Sequence, residues 1–269
     1  MMRFTLITAD VERARQAEAA GVSRIMIDLE QDGKRERQKS RDTWISDHTI
    51  EQVAPMRAEL EQAELMVRIN PYGSNTETEI DAVLTAGAQV IMLPMFLTLQ
   101  AVSETVEIIA GRAKLVPLVE TGEALSIIET VAKHAGVSET FIGLNDLHLS
   151  LGLTFMFEPL ADGTLENVAH GLRQIGKPFG FGGIARVGEG QLPAELILRE
   201  HARLGSKRVI LSRAFSRRSQ SFEGMTFRKE ISKLHNIYHM AQDCSSQVLE
   251  KNRRDVVRRV KQIIAQNSN

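Results

Sequence analysis

Residues 25–32, IMIDLEQD, begin as a buried β-strand and end in carboxylates. Ile25, Met26 and Ile27 make a short apolar run, and Asp28 and Glu30 follow it two residues apart. Side chains alternate faces along a strand, so Asp28 and Glu30 share one face while Ile27 and Leu29 share the other. A strand that is apolar on both faces and acidic only at its C-terminal end fits a parallel sheet. There helices cover the strands and ligand-binding groups gather beyond the strand ends.

Runs of the same kind occupy residues 3–8, 24–30, 65–70, 89–94, 114–121, 140–146, 178–185 and 207–213. Between them lie helical patterns such as DVERARQAEAAG, NTETEIDAVLTAG and GEALSIIETVAKHAG, several of which close on Gly21, Gly87, Gly111, Gly136 or Gly205. Glycine just past the last helical turn is the favoured stop. This alternation predicts repeated βα units around a parallel sheet. Eight strands each followed by a helix predict a (β/α)8 TIM barrel, and no GxGxxG follows the first strand to favour an open dinucleotide-binding sheet.

The expected organisation is a barrel core over residues 1–221 and extra C-terminal helices over residues 222–269. In the latter, SSQVLEKNRRDVVRRVKQIIAQ sets Val248, Val256, Val257, Val260, Ile263 and Ile264 along one face, opposite a basic one. Such a stripe is expected to pack on a neighbouring subunit, making the protein a homo-oligomer. Residues 31–46, QDGKRERQKSRDTWIS, are charged and lack an apolar period, so they read as a long functional loop.

The chain has 269 residues, 43% of them hydrophobic and 25% charged, with a formal net charge of -1. This is the profile of a globular enzyme, and no global field draws it to nucleic acid or to a membrane. The one cysteine, Cys244, forms no intrachain disulfide, and no run approaches the ~20 apolar residues of a membrane span. A cytoplasmic protein is expected.

In a barrel the working groups sit at the C-terminal strand ends. There the sequence places Asp28 and Glu30 on the second strand, Arg68 and Asn70 on the third, Glu120 on the fifth, and Asn145 and Asp146 on the sixth. Glu120 and Asp146, one βα unit apart, are hard oxygen ligands suited to Mg2+ or Mn2+. Zinc is disfavoured, because no His or Cys lies at those ends. A divalent ion beside Arg68 would receive a 2-oxo acid, with enolate charge developing against fixed positive charge.

MIDLEQD, VRINP, VIMLPM, LVPLVETGEAL and FIGLNDL, in this order and spacing, resemble the HpcH/HpaI aldolase and citrate lyase β-subunit superfamily over roughly residues 3 to 215. The resemblance implies a (β/α)8 barrel with a divalent metal held by Glu120 and Asp146. It also implies that Arg68 stabilises a pyruvate enolate, and that the chain assembles through its C-terminal helices. Aldolases of this family carry D-G-E-H at the second strand, where the His helps to move the proton. Here that position is Gln31, which orients a water or hydroxyl but is no base near pH 7.

His148 in NDLHLSLG is the nearest replacement base, on what reads as a surface loop turn; His48 ranks behind it, and His201 reads as structural. Glu30 and Asp28 are expected to support the metal and Arg68. Gly180, Gly182 and Gly183, with Arg186 and with Arg213 and its neighbours Arg217 and Arg218, read either as an anion site or, for the glycines, as relief of crowding. The leading expectation is a metal-dependent carbon-carbon lyase that joins or splits a pyruvate-like 2-oxo acid and an aldehyde, such as a sugar aldehyde. The alternatives are a citrate-lyase-like acyl-CoA lyase and a non-catalytic barrel that binds a 2-oxo acid.

Overall fold

The computed structural model describes residues 1–31, 46–212, 215 and 224–267. Its parallel strands close in chain order into a barrel: β1 (Arg3–Ile7), β2 (Arg24–Asp28), β3 (Glu64–Arg68), β4 (Val90–Leu93), β5 (Lys114–Val119), β6 (Thr140–Ile142), β7 (Phe179–Ile184) and β8 (Arg208–Leu211). The expected TIM barrel is therefore present. Around it run α1 (Val11–Ala19), α2 (Val53–Glu59), α3 (Thr76–Thr85), α4 (Leu99–Ile109), α5 (Gly122–Ser126) and α6 (Ile128–Lys133). They are followed by α7 (Leu144–Ser150), α8 (Glu158–Ala161), α9 (Thr164–Ile175), α10 (Ala194–Leu204), α11 (Gly224–Gln242) and α12 (Ser246–Asn267).

The period of two explains why the strands read as continuously apolar. Met26, Met66, Val90, Met92, Val116, Leu118 and Phe141 point inward and fill the barrel, while Ile25, Ile27, Leu65, Val67, Ile91 and Val119 join the core under the helices. Below the inner plug, the N-terminal strand ends close on ion pairs. Arg24 meets Glu139 and, at 2.7 Å, Glu64; Arg208 meets Glu139 at 2.7 Å, and Lys114 meets Glu64. Burial alone would push the Glu64 carboxyl up, but Lys114 and Arg24 outweigh it and hold the group at about 2.

Three local expectations need correction. Gly136 is not a left-handed helix stop. It is glycine because a Cβ there would come within 2.2 Å of Val106 on α4. The sixth strand ends at Ile142, so Asp146 lies in the first turn of α7 rather than on a strand end.

The stripe on α12 is the third. Three of its residues, Val256, Val260 and Ile263, are buried against this chain's own helices, chiefly α10 and α8, while Val248 stays exposed and Val257 and Ile264 are half-buried. Asn252 completes that seam by donating to Glu200 Oε1 at 2.8 Å and to the Leu196 carbonyl at 3.1 Å. The expected boundary near residue 221 and the loop at 32–45 lie outside the described residues. Among the described residues no helix is long and apolar enough to cross a membrane.

Candidate active site

Arg68 ends β3 opposite Asp28 in the β2–β3 register. Its Nε donates to Asp28 Oδ1 at 2.8 Å and its Nη2 to Oδ2 at 2.7 Å, a two-point clamp that fixes the guanidinium plane. Asp28 Oδ1 also accepts the Glu30 N–H at 3.2 Å. The remaining nitrogen, Nη1, lies 3.3 Å from Glu30 Oε2 and 4.0 Å from Glu120 Oε1. Burial disfavours the charged arginine, but Asp28, Glu30 and Glu120 more than reverse this and raise its pKa, so it stays charged.

Glu120, just past β5, is buried, and its Oε2 accepts the Met95 N–H at 3.2 Å. That bond depends on a main-chain conformation rare outside glycine, since Met95 has φ 50. Space for the acid comes from Gly143, where a Cβ would sit 2.8 Å from Glu120 Cγ. Burial first, then the charges of Glu30 and Asp146, push the Glu120 carboxyl up to about 8 against the pull of Arg68. Asp146, from the first turn of α7, has a buried Oδ1 with no hydrogen-bond partner.

Three carboxylates, Asp28, Glu30 and Glu120, thus face one guanidinium, and a fourth, Asp146, adds its charge beside Glu120. With all of them ionised the cluster is strongly negative, and a buried orphaned carboxylate oxygen is costly without a cation. Two hard oxygen donors that leave room for waters and substrate are what Mg2+ or Mn2+ takes, so Glu120 and Asp146 fit such an ion. Among the described residues no group of three or more His, Cys, Asp and Glu side chains is arranged as a metal cage.

The other expected residues divide. Gln31 is at the exposed mouth, with its N–H donated to Asn70 Oδ1 at 2.9 Å; Asn70 Nδ2 in turn donates to Glu79. His148 is not on a surface turn. It is buried in α7 and donates from Nδ1 to the Leu144 carbonyl at 3.1 Å. Two helical residues apart is a rotation of about 200°, so it leaves α7 on the side away from Asp146. His201 is structural as expected, stacked on Phe181 and held at Nδ1 by Ser206 Oγ.

On β7, Gly180 relieves crowding, because a Cβ there would reach 2.4 Å from Arg208 Cβ. Gly182 takes φ 58 in the register shift between β7 and β8, and Gly183 follows it. Arg186 lies 5.8 Å from the Phe215 ring centroid and 3.9 Å from Glu189. Arg213, Arg217 and Arg218 are outside the described residues.

Met95 and Gly143 escaped the sequence reading. Neither is titratable, and both act through main chain or empty space. His48 was ranked low as a base, yet its ring nitrogen Nδ1 accepts the Asp28 N–H at 3.1 Å, which brings it to the Arg68 clamp.

Several solved structures share the fold at low identity. An HpcH/HpaI aldolase/citrate lyase family protein from Burkholderia cenocepacia J2315 aligns with TM-score 0.62 at 17% identity, over 88% of this chain and 94% of its own. The citrate lyase beta subunit of M. tuberculosis, complexed with oxaloacetate and magnesium, gives 0.58 at 18% identity over 88% and 96%. The protein CitE of Mycobacterium tuberculosis, in complex with magnesium and pyruvate, gives 0.61 at 17% identity over 95% and 97%. No curated protein sequence matches. The sequence profile of one family matches residues 5–159, more than half the chain and the whole span from β1 through Asp28, Arg68, Glu120 and Asp146, and the chain belongs to that family, HpcH/HpaI aldolase/citrate lyase.

Proposed function

We propose that the protein makes or breaks a carbon-carbon bond through the enolate of a pyruvate-like 2-oxo acid, with an aldehyde as second substrate and Mg2+ or Mn2+ as cofactor. The observation that carries this reading is the clamped guanidinium of Arg68 beside Glu120 and Asp146, one of which has a buried, partnerless oxygen. Magnesium accompanies oxaloacetate in one structural relative and pyruvate in another, ligands of the same chemical class.

Glu120 and Asp146 would hold the ion, which when bound supplies Lewis-acid polarisation of the 2-oxo group. Arg68 supplies a fixed positive charge for the oxygen on which enolate charge develops. Because Asp28 holds it in place beforehand, no reorganisation is needed at the moment of reaction. Glu30 keeps Nη1 oriented, and the buried setting strengthens each of these charges relative to water. Gln31 at the mouth orients a water or hydroxyl but moves no proton itself. Gly182, Gly183, Arg186 and Arg213 are proposed to receive an anionic group of the aldehyde partner, whereas His148, buried with Nδ1 held by the Leu144 carbonyl and turned away from Asp146, is not assigned the proton transfer.

The test is exchange of the pyruvate methyl protons in D2O. Wild type should exchange them only with Mg2+ or Mn2+ present, and Glu120→Ala and Arg68→Ala should each lose at least about a hundredfold in rate. Absence of exchange with any divalent ion removes the 2-oxo acid assignment. A panel of aldehydes, sugar aldehydes included, then identifies the second substrate.

A further inference from the structure

We infer that His48 is a positioning residue for Arg68, acting through the main chain of Asp28. The inference rests on the enolate reading for its kinetic consequence, but the contact itself is independent of that reading.

Thr8, just after β1, donates its N–H to the Met26 carbonyl at 3.1 Å, so Met26 turns its polar main-chain groups toward β1. Residues two apart on a strand point these groups to the same side, and Asp28 N–H is therefore the next rung of that ladder. β1 has ended by then, at Ile7. The His48 ring takes the rung instead, with Nδ1 3.1 Å from the Asp28 nitrogen.

The ring is delivered by a fixed corner. His48 donates its own N–H to the buried Ser46 Oγ at 3.3 Å, and the next residue, Thr49, donates to Gln52 Oε1 at 2.9 Å as the chain turns into α2. A nitrogen that accepts a hydrogen bond carries no proton, so the neutral ring holds its proton on Nε2. At Nδ1 His48 is an acceptor that holds the main chain, and not a proton carrier.

What it holds matters because Asp28 takes two of the three guanidinium nitrogens of Arg68, leaving Nη1 facing Glu30 and Glu120. If the Asp28 main chain shifts, the plane of the guanidinium turns with it. A charge aimed at a developing enolate loses rate faster than it loses ground-state binding.

The experiment compares wild type with His48→Ala, His48→Asn and His48→Gln in metal-dependent pyruvate proton exchange, and measures hydrogen exchange at the Asp28 amide. His48→Ala should lower kcat about tenfold with KM for pyruvate moved less than about threefold, and the amide should lose protection. Asn places an oxygen where Nδ1 was, so His48→Asn should restore kcat to within about threefold of wild type and restore protection, whereas His48→Gln, whose oxygen lies one bond further out, should behave like Ala. An unchanged His48→Ala, or a His48→Asn as impaired as Ala, overturns the inference. If wild type exchanges no pyruvate protons at all, the functional reading has failed by itself. Amide protection then decides alone, and equal protection in wild type and His48→Ala rejects the contact.

Discussion

Glu120 carries the sharpest consequence at the scale of a single residue. Its carboxyl stands at about 8 in the folded metal-free protein against an ordinary 4.5, because burial, Glu30 and Asp146 all oppose its charge. A group whose pKa is raised by folding adds stability below its unfolded value and loses that contribution as pH climbs through its folded value. The metal-free protein should therefore lose this contribution between about pH 4.5 and 8. The same proton must leave when a divalent ion takes the oxygen, so Mg2+ binding at pH 7 should release about one proton and tighten about tenfold per pH unit until the titration is complete. Calorimetry in two buffers of different ionisation enthalpy measures the released proton, and pH-independent binding without release would remove Glu120 from the ligand set.

Among the elements, α12 is fastened where α10 presents a buried acid. Glu200 is fully buried; burial pushes its carboxyl up, and Arg203 and the Asn252 amide pull it back. Asn252→Ala removes a donor from that acid and should destabilise the fold by about 1–3 kcal/mol, readable as a lower urea midpoint. The same element marks the limit of what the sequence discloses. Amphipathicity announces that α12 has an apolar face, and Val256, Val260 and Ile263 were legible as that face, but the pattern is identical whether the cover is another subunit or this chain's own α10.

All the strands were legible because both their faces are buried and leave continuous apolar runs. The passage FIGLND was not, since Gly143 ends β6 for a reason held elsewhere, the space occupied by Glu120. Asp28, Arg68 and Glu120 could be assigned to one rim from the strand period alone. Met95 and His48 could not, for they reach the site through a main-chain N–H and through a contact twenty residues away in sequence.

For the molecule as a whole, the barrel has a mouth and a floor of opposite character. At the floor, Arg24, Lys114 and Arg208 share the carboxylates of Glu64 and Glu139, and the plug of Met26, Met66, Met92 and Phe141 lies above them. The family profile covers residues 5–159 and ends before β7 and β8.

Among the described residues, the ion-paired floor and the plug above it lie on the far side of Arg68 from the mouth, so a ligand of Arg68 should enter from the mouth. A second molecule resting above it closes the exit. On the proposed function the kinetics should therefore be ordered, with the 2-oxo acid first in and last out: in the synthetic direction the aldehyde should not bind the protein alone, and initial-rate patterns should intersect with the 2-oxo acid as the leading substrate. Random addition, seen as aldehyde binding without the 2-oxo acid, would mean that the two halves of the reaction enter by separate routes.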